Sequence, residues 1–562
     1  MKHALRTLAL VALAPPLAIA DTAHPLRSPA GMVVSQSAVA SRVGSDLLQA
    51  GGSAVDAAVA TAFALAVTHP AAGNLGGGGF LLYRPAEGEP AAYDFREKAP
   101  AAATSTMFLR NGAYDGTLHH ESHLSVGVPG TVAGLHMAWK ENGKLPWRRL
   151  VEPAIALAKD GFTVTDGLAR SLEGVLPELL GHPASRAQFS KSGAPYKAGD
   201  TLVQGHLART LERIAAEGPA GFYQGETARL IAREMKAGGG LITEADLAAY
   251  APKKRAPVRG TYRGYEVLSM PPPSSGGVAL IEMLNLLEGY DLKATGLRSA
   301  ATVHLVVEAM RRAFADRALY LGDPDFNPDL PVARLTSKEY AAKLRRTIRP
   351  DQASMSTPES FEWPRESAET THLSVVDHAR NAVSLTYTLE DSYGSKVVVP
   401  GAGFLLNNEM GDFNAGPGLT NRDGLVGTPP NLAAPGKRML SSMTPTILAR
   451  DGKVFLVIGS PGGRTIINTV LLVILNVVDF GLNVQEAIDA PRFHHQWLPD
   501  LVRYERYGLS PDTVALLKAR GHTLTEVSVQ GVAEGIVFDA ARGLLEGGSD
   551  RRAPDGAAHA TR

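Results

Sequence analysis

Apolar residues recur at helical spacing through much of the chain. The pattern predicts helices over 38–49, 54–67, 131–141, 150–159, 205–217, 227–237, 300–319, 464–480 and 512–520. Ser53 stands where the second of these needs an N-cap. Period-two or continuous apolar runs predict strands over 33–40, 80–83, 403–407 and 454–458. Two runs alternate more clearly, 370–377 (TTHLSVVD) and 382–389 (AVSLTYTL), with His378, Ala379 and Arg380 between them. They read as a hairpin. A turn centred on Ala379 sets Val376 against Ala382 and Thr370 against Thr388, with Glu390 on the same face two residues beyond. The threonine pair therefore sits where the chain leaves 350–369, a Pro/Ser/Glu-rich stretch without periodicity that reads as a loop. Cross-strand threonine pairs also occur for stability alone.

Composition narrows the function classes. The 562 residues are 44% hydrophobic and 20% charged, as in a soluble globular protein with a large core. Lys and Arg number 56 and so do Asp and Glu, and this balance excludes a polyanion-coating protein. With no cysteine, the chain has neither disulfides nor thiolate metal sites nor a cysteine nucleophile. Residues 1–20 combine Lys2 and Arg6 with an apolar stretch and a small-x-small site at Ala18–Ala20, the pattern of an export signal. The mature protein is expected in the periplasm or outside the cell. No later apolar run is long enough to span a bilayer.

Two motifs invite false readings. Gly76-Gly77-Gly78-Gly79 lacks the spacing of either phosphate-binding loop, and reads as close backbone packing ahead of a strand. His119, His120 and His123 fit no zinc signature, and read as a surface cluster.

From 370 to 377 the chain resembles the gamma-glutamyltranspeptidase family. So do 406–413 (LNNEMGDF), 440–445 (LSSMTP), 459–463 (GSPGG), 95–100 (FREKAP), 126–130 (VGVPG) and 490–497 (APRFHHQW), in family order. The resemblance implies an N-terminal nucleophile hydrolase with an α+β, four-layer αββα sandwich of two mainly antiparallel sheets. It implies a precursor that cuts itself between Glu369 and Thr370. After loss of 1–20, residues 21–369 become the large fragment and 370–562 the small one, a heterodimer sharing one core. Thr370 becomes nucleophile and, through its new amine, base. Thr388 orients the hydroxyl, and Gly462 and Gly463 receive the oxyanion. Arg96, Ser441 and Ser442 hold the donor's carboxylate, and Glu390, Glu409 and Asp412 its ammonium. Donors would be glutathione and other gamma-glutamyl compounds, and acceptors water, amino acids or dipeptides. No metal or organic cofactor is implied.

The chain departs from the family at Glu390, where many members carry asparagine. Residues 417–428 resemble a lid, with Arg422-Asp423-Gly424 where relatives carry an aromatic gate. Two alternatives are a glutaryl-cephalosporin acylase of the same superfamily and an uncleaved periplasmic binding protein.

Overall fold

The hairpin forms in the register that its alternation requires. Strands Thr371–Val376 and Ala382–Thr388 run antiparallel, with Val376 opposite Ala382 and Thr371 opposite Tyr387. Thr370 therefore leads into the strand beside Thr388. The structure, a computed structural model, describes residues 23–356, 370–419 and 427–561. The export segment 1–20, Glu369 and the lid tip at Arg422-Asp423-Gly424 lie outside the described residues.

Each face of the hairpin has its own partner. Leu373, Val375, Val383, Leu385 and Tyr387 pack into a core with helices Ala38–Gln49, Ala54–Thr68, Trp147–Asp160 and Gly205–Glu217. The opposite face is mostly polar and meets the other sheet. There Ser374 Oγ donates to Glu534 O at 3.0 Å, and Ser384 Oγ donates to Ile458 O at 3.0 Å. These bonds stitch the two sheets together where a purely apolar seam would leave register less specified.

Two seven-stranded sheets result, and every pairing within them is antiparallel. The first runs Ala557–Ala560, Met32–Ser35, Thr371–Val376, Ala382–Thr388, Gly78–Arg84, Ala91–Phe95, Lys253–Arg255. The second runs Leu26–Ser28, Leu544–Ser549, Glu534–Asp539, Lys453–Gly459, Thr446–Arg450, Tyr265–Ser269, Val258–Tyr262. Met32, Val34, Phe80, Leu268, Val457 and Ile536 fill the space between them. Helices Gly276–Leu287, Ala300–Tyr320 and Thr465–Val478 close the outer side of the second sheet. This is an α+β protein with layers ordered αββα.

Most predicted helices form within two or three residues of their expected ends. The expected strand 33–40 stops at Ser35, because the Ser37 hydroxyl caps helix Ala38–Gln49 by accepting from the Ala40 amide. Residues 403–407 make no regular strand. Gly403 turns at φ 77°, and only isolated bridges join Leu405 to Val398 and Leu406 to Gly76. The glycine run is tight packing, as expected. A Cβ on Gly77 would lie 2.0 Å from Thr388 O, and one on Gly79 would lie 2.4 Å from Tyr387 Cβ. The histidines do not form a surface cluster. His119 is fully buried against Phe108, and its helix, Gly116–His120, packs on the turn at Glu409–Asp412.

Candidate active site

At one end of the hairpin a small cavity opens between the sheets. Its walls are Arg96, Thr370, Thr388, Glu390, Glu409, Asp412, Ser441, Ser442, Met443, Gly463 and Ile466. The sequence-predicted residues thus converge from five distant stretches of chain. Gly462 lies directly behind Gly463 and is not itself part of the wall.

The strand end that carries the two threonines is held from both sides. Thr370 Oγ1 donates to Thr388 Oγ1 at 3.3 Å, and the Glu390 amide donates to the same Thr388 oxygen at 3.0 Å. Asn74 Nδ2 donates to Thr388 O at 2.8 Å, while Asn74 Oδ1 accepts from the Gly77 amide and the Thr131 hydroxyl. Glu390 adopts φ 80°, a left-handed conformation rare for a residue with a side chain, and lines the cavity.

Arg96 emerges from the end of strand Ala91–Phe95 and is completely buried. Its guanidinium pairs with Glu409 and Asp412 and donates to the carbonyls of Met439 (3.3 Å) and Leu440 (3.2 Å). Glu97 Oε2 lies 3.7 Å away. Burial opposes the Arg96 charge, but Glu409, Asp412 and Glu97 outweigh it and hold the proton on. The carboxyls move the other way. Burial raises Glu97 to about 7. Burial also raises Glu409 well above the usual range, with Arg96 opposing and Glu97 and Asp412 adding to it. Burial does the same at Glu390, reinforced by Asp391, Asp412 and Glu409. Glu390 Oε2, Glu409 Oε2 and both Glu97 oxygens are buried without a hydrogen-bond partner. The wall therefore sets one guanidinium against three acid groups, with Glu97 as a fourth beside Arg96, an arrangement that favours a further cation.

The opposite wall is built from hydroxyls and backbone. Ser442 Oγ accepts from Arg317 NH2 at 2.9 Å, and Arg317 Nε donates to Ser275 Oγ at 2.7 Å. Ser441 Oγ accepts from the Met443 amide. Gly462 and Gly463 adopt φ 128° and 54° immediately before helix Thr465–Val478. A Cβ on Gly462 would lie 2.4 Å from Thr465 Oγ1. Their amides stand at the positive end of a fourteen-residue helix.

Sequence reasoning missed the supporting residues. Asn407 holds the acidic turn by accepting from the amides of Gly127 and Glu409, and Asn431 donates to Asp412 O. Asn74 and Arg317 carry no local signal beyond being polar in apolar surroundings, whereas Asn407 lies within the family-like stretch 406–413. Among the described residues, one trio has ligand atoms close enough for a metal: His304, Glu308 and His522. Glu308 already pairs with Arg311 and Arg312, which makes that trio a poor cation site.

Residues 40–560 match the gamma-glutamyltranspeptidase family. The chain is 51% identical over 540 residues to the glutathione hydrolase proenzyme of Escherichia coli, covering 95% of this chain and 92% of that one. It is 46% identical to the glutathione hydrolase proenzyme of Pseudomonas aeruginosa, covering 93% of each. A crystal structure of a cephalosporin acylase from Bacillus halodurans superposes with a TM-score of 0.85 at 28% identity, over 98% of this chain and all of that one. A Helicobacter pylori gamma-glutamyltranspeptidase structure superposes with a TM-score of 0.56 at 45% identity, over 60% of this chain and 95% of that one.

Proposed function

Because the chain belongs to the gamma-glutamyltranspeptidase family, we propose that the cavity at Thr370 hydrolyses glutathione and transfers gamma-glutamyl groups. The observation that carries this reading is the Thr370–Thr388 hydroxyl contact at the mouth of a cavity where one guanidinium faces several carboxyls. A gamma-glutamyl donor is a zwitterion at its alpha carbon. It can enter such a wall by exchange: its carboxylate takes Arg96, assisted by Ser441 and Ser442, while its ammonium takes Glu409, Asp412 and Glu390. Every charge keeps a partner, which is the condition for burying charges at tolerable cost.

The chemistry begins with the precursor. Thr370 Oγ1 attacks the carbonyl of Glu369, the peptide becomes an ester, and water releases Thr370 with a free amine. That amine has an ordinary pKa of about 7.7–8.0, so much of it is neutral near physiological pH and accepts the hydroxyl proton. Thr388 holds the hydroxyl in line. Oγ1 then attacks the donor's gamma carbonyl, and the backbone N–H groups of Gly462 and Gly463 receive the oxyanion. The leaving amine departs with a proton, and the acyl-enzyme passes to water, an amino acid or a dipeptide. The large and small fragments remain together as a heterodimer. Residues 1–20 direct export before this maturation.

The acylase reading has a structural neighbour and a relative in its favour, an acylase proenzyme of Pseudomonas sp. strain V22 that is 39% identical. A glutaryl group has no ammonium. It would draw Arg96 from Glu409 and Asp412 and return no cation to them, so this wall disfavours it.

The test is intact mass and N-terminal sequencing of purified protein, followed by assay with gamma-glutamyl- and glutaryl-p-nitroanilide. Chains beginning at Asp21 and Thr370, and turnover of the first substrate over the second, are expected. A stable uncut chain, or preference for the glutaryl compound, would overturn the proposal.

A further inference from the structure

Glu390 has a neighbour outside the cavity wall. His120 Nδ1 lies 3.6 Å from Glu390 Oε1, just beyond hydrogen-bond length. The approach is built from three sides. Asn408 Nδ2 donates to His120 O at 3.1 Å, and Asn408 Oδ1 accepts from the Asp391 amide at 3.0 Å, so one side chain ties the histidine's backbone to the turn after Glu390. Gly411 leaves room for the ring, since a Cβ there would lie 2.5 Å from His120 Nδ1. The His119 ring lies against it at a centroid distance of 4.3 Å, tilted by 47°, and His120 Nε2 is buried without a partner.

We infer that His120 is a positioning residue for donor recognition: it takes the proton that Glu390 gives up when the donor's ammonium arrives. This rests on the function proposed above. In the step, the O–H bond of the Glu390 carboxyl breaks, the His120 Nδ1 lone pair takes the proton, and no other bond changes. The carboxylate then faces the ammonium, and the imidazolium faces Asp391 and Asp412.

The surrounding charges favour this direction. Around Glu390 stand Asp391 and Lys396 from the following turn, Glu409 and Asp412 from theirs, and Tyr114 from the large fragment. Burial and the three acids keep Glu390 protonated in the empty cavity, and an arriving cation reverses that balance. Burial likewise keeps His120 neutral beforehand, while Asp391, Asp412 and Glu121 favour its charged form and Lys396 opposes it. The Glu390 proton therefore has an acceptor within the protein.

The experiment uses mature wild-type protein and the variants His120→Gln, Glu390→Gln and both together. Free L-glutamate is titrated calorimetrically at pH 7 in buffers of different ionisation enthalpy. His120→Gln is expected to release about one more proton per site than wild type, and this difference vanishes in the Glu390→Gln background. For gamma-glutamyl-p-nitroanilide, His120→Gln raises KM about tenfold with kcat little changed, because a charge-assisted contact is weakened and the nucleophile is not. Equal proton release in wild type and His120→Gln overturns the inference. If His120→Gln does not self-cleave, NMR of wild-type protein carrying 13C-histidine decides. One additional imidazolium on adding L-glutamate supports the inference, and no change in histidine charge overturns it. Wild-type turnover of the substrate is scored separately, so loss of the function reading is distinguishable from loss of the His120 role.

Discussion

The side-chain amide of Asn74 donates to the main-chain carbonyl of Thr388 at 2.8 Å, and its carbonyl oxygen accepts from Gly77 and Thr131. One buried side chain thus joins the glycine run, a helix start and the strand end that bears Thr388. Asn74→Ala leaves several buried groups unpaired and is expected to cost about 2–4 kcal/mol of stability. It should also slow self-cleavage. Thermal melts and the rate of appearance of a chain beginning at Thr370 measure both effects. An unchanged melt would remove the structural role assigned to Asn74.

Thr370→Ala should yield an intact precursor without activity, since both the ester route and the acyl-enzyme need the hydroxyl. Thr370→Ser keeps a hydroxyl but loses the methyl that restricts its rotamer. It should self-cleave more slowly. Gel electrophoresis over days at neutral pH distinguishes the two variants. Complete cleavage of Thr370→Ala would place the nucleophile elsewhere.

Gly462→Ala should lower kcat by about 10²–10³, the usual loss for one oxyanion donor. Its φ of 128° and the 2.4 Å approach of a Cβ to Thr465 Oγ1 force the loop to move. KM should change less than kcat, because the proposed role of that amide is toward charge that develops in the transition state. Steady-state kinetics with a gamma-glutamyl anilide reads the split.

Acid should destabilise the fold through its histidines. Burial lowers His372 to about 3, and lowers His69 and His495 to about 4. Their unfolded-state values lie near 6.5, so the unfolded chain binds more protons between those limits. The contribution of these neutral rings is complete above about pH 6.5 and is lost as pH falls toward 4 and 3. Melting temperature should drop over that window. In His372→Gln the drop should be shallower, although the variant is less stable at pH 7 because His372 bonds Thr386 and Ser374.

The hairpin and the threonine pairing were legible in sequence because period-two alternation fixes which residues face each other, and this hairpin has a centred turn. Helices with clear apolar stripes were legible for the same local reason. The second sheet was mostly not. Strands Glu534–Asp539 and Leu544–Ser549 read EGIVFD and LLEGGS, with glycines in both and no strict alternation. Tertiary packing decides such segments. In the site, the residues that the family pattern named line one cavity. There Arg96 bonds Glu409 and Asp412, a contact across more than three hundred residues that no local signal encodes. His120 was read as surface and lies beside Glu390 for the same reason.

The first sheet interleaves the chain across the expected cut. Strand Thr371–Val376 lies between Met32–Ser35 and Ala382–Thr388, Gly78–Arg84 follows on, and Ala557–Ala560 forms the edge beside Met32–Ser35. Before cleavage, one molecule can unfold and find its way back alone. After it, the same sheet must be rebuilt from two partners that meet by diffusion. Recovery from denaturation then depends on concentration, and the durability of the mature enzyme is set by how slowly it opens. Maturation in this architecture is a one-way commitment made while the chain is already folded.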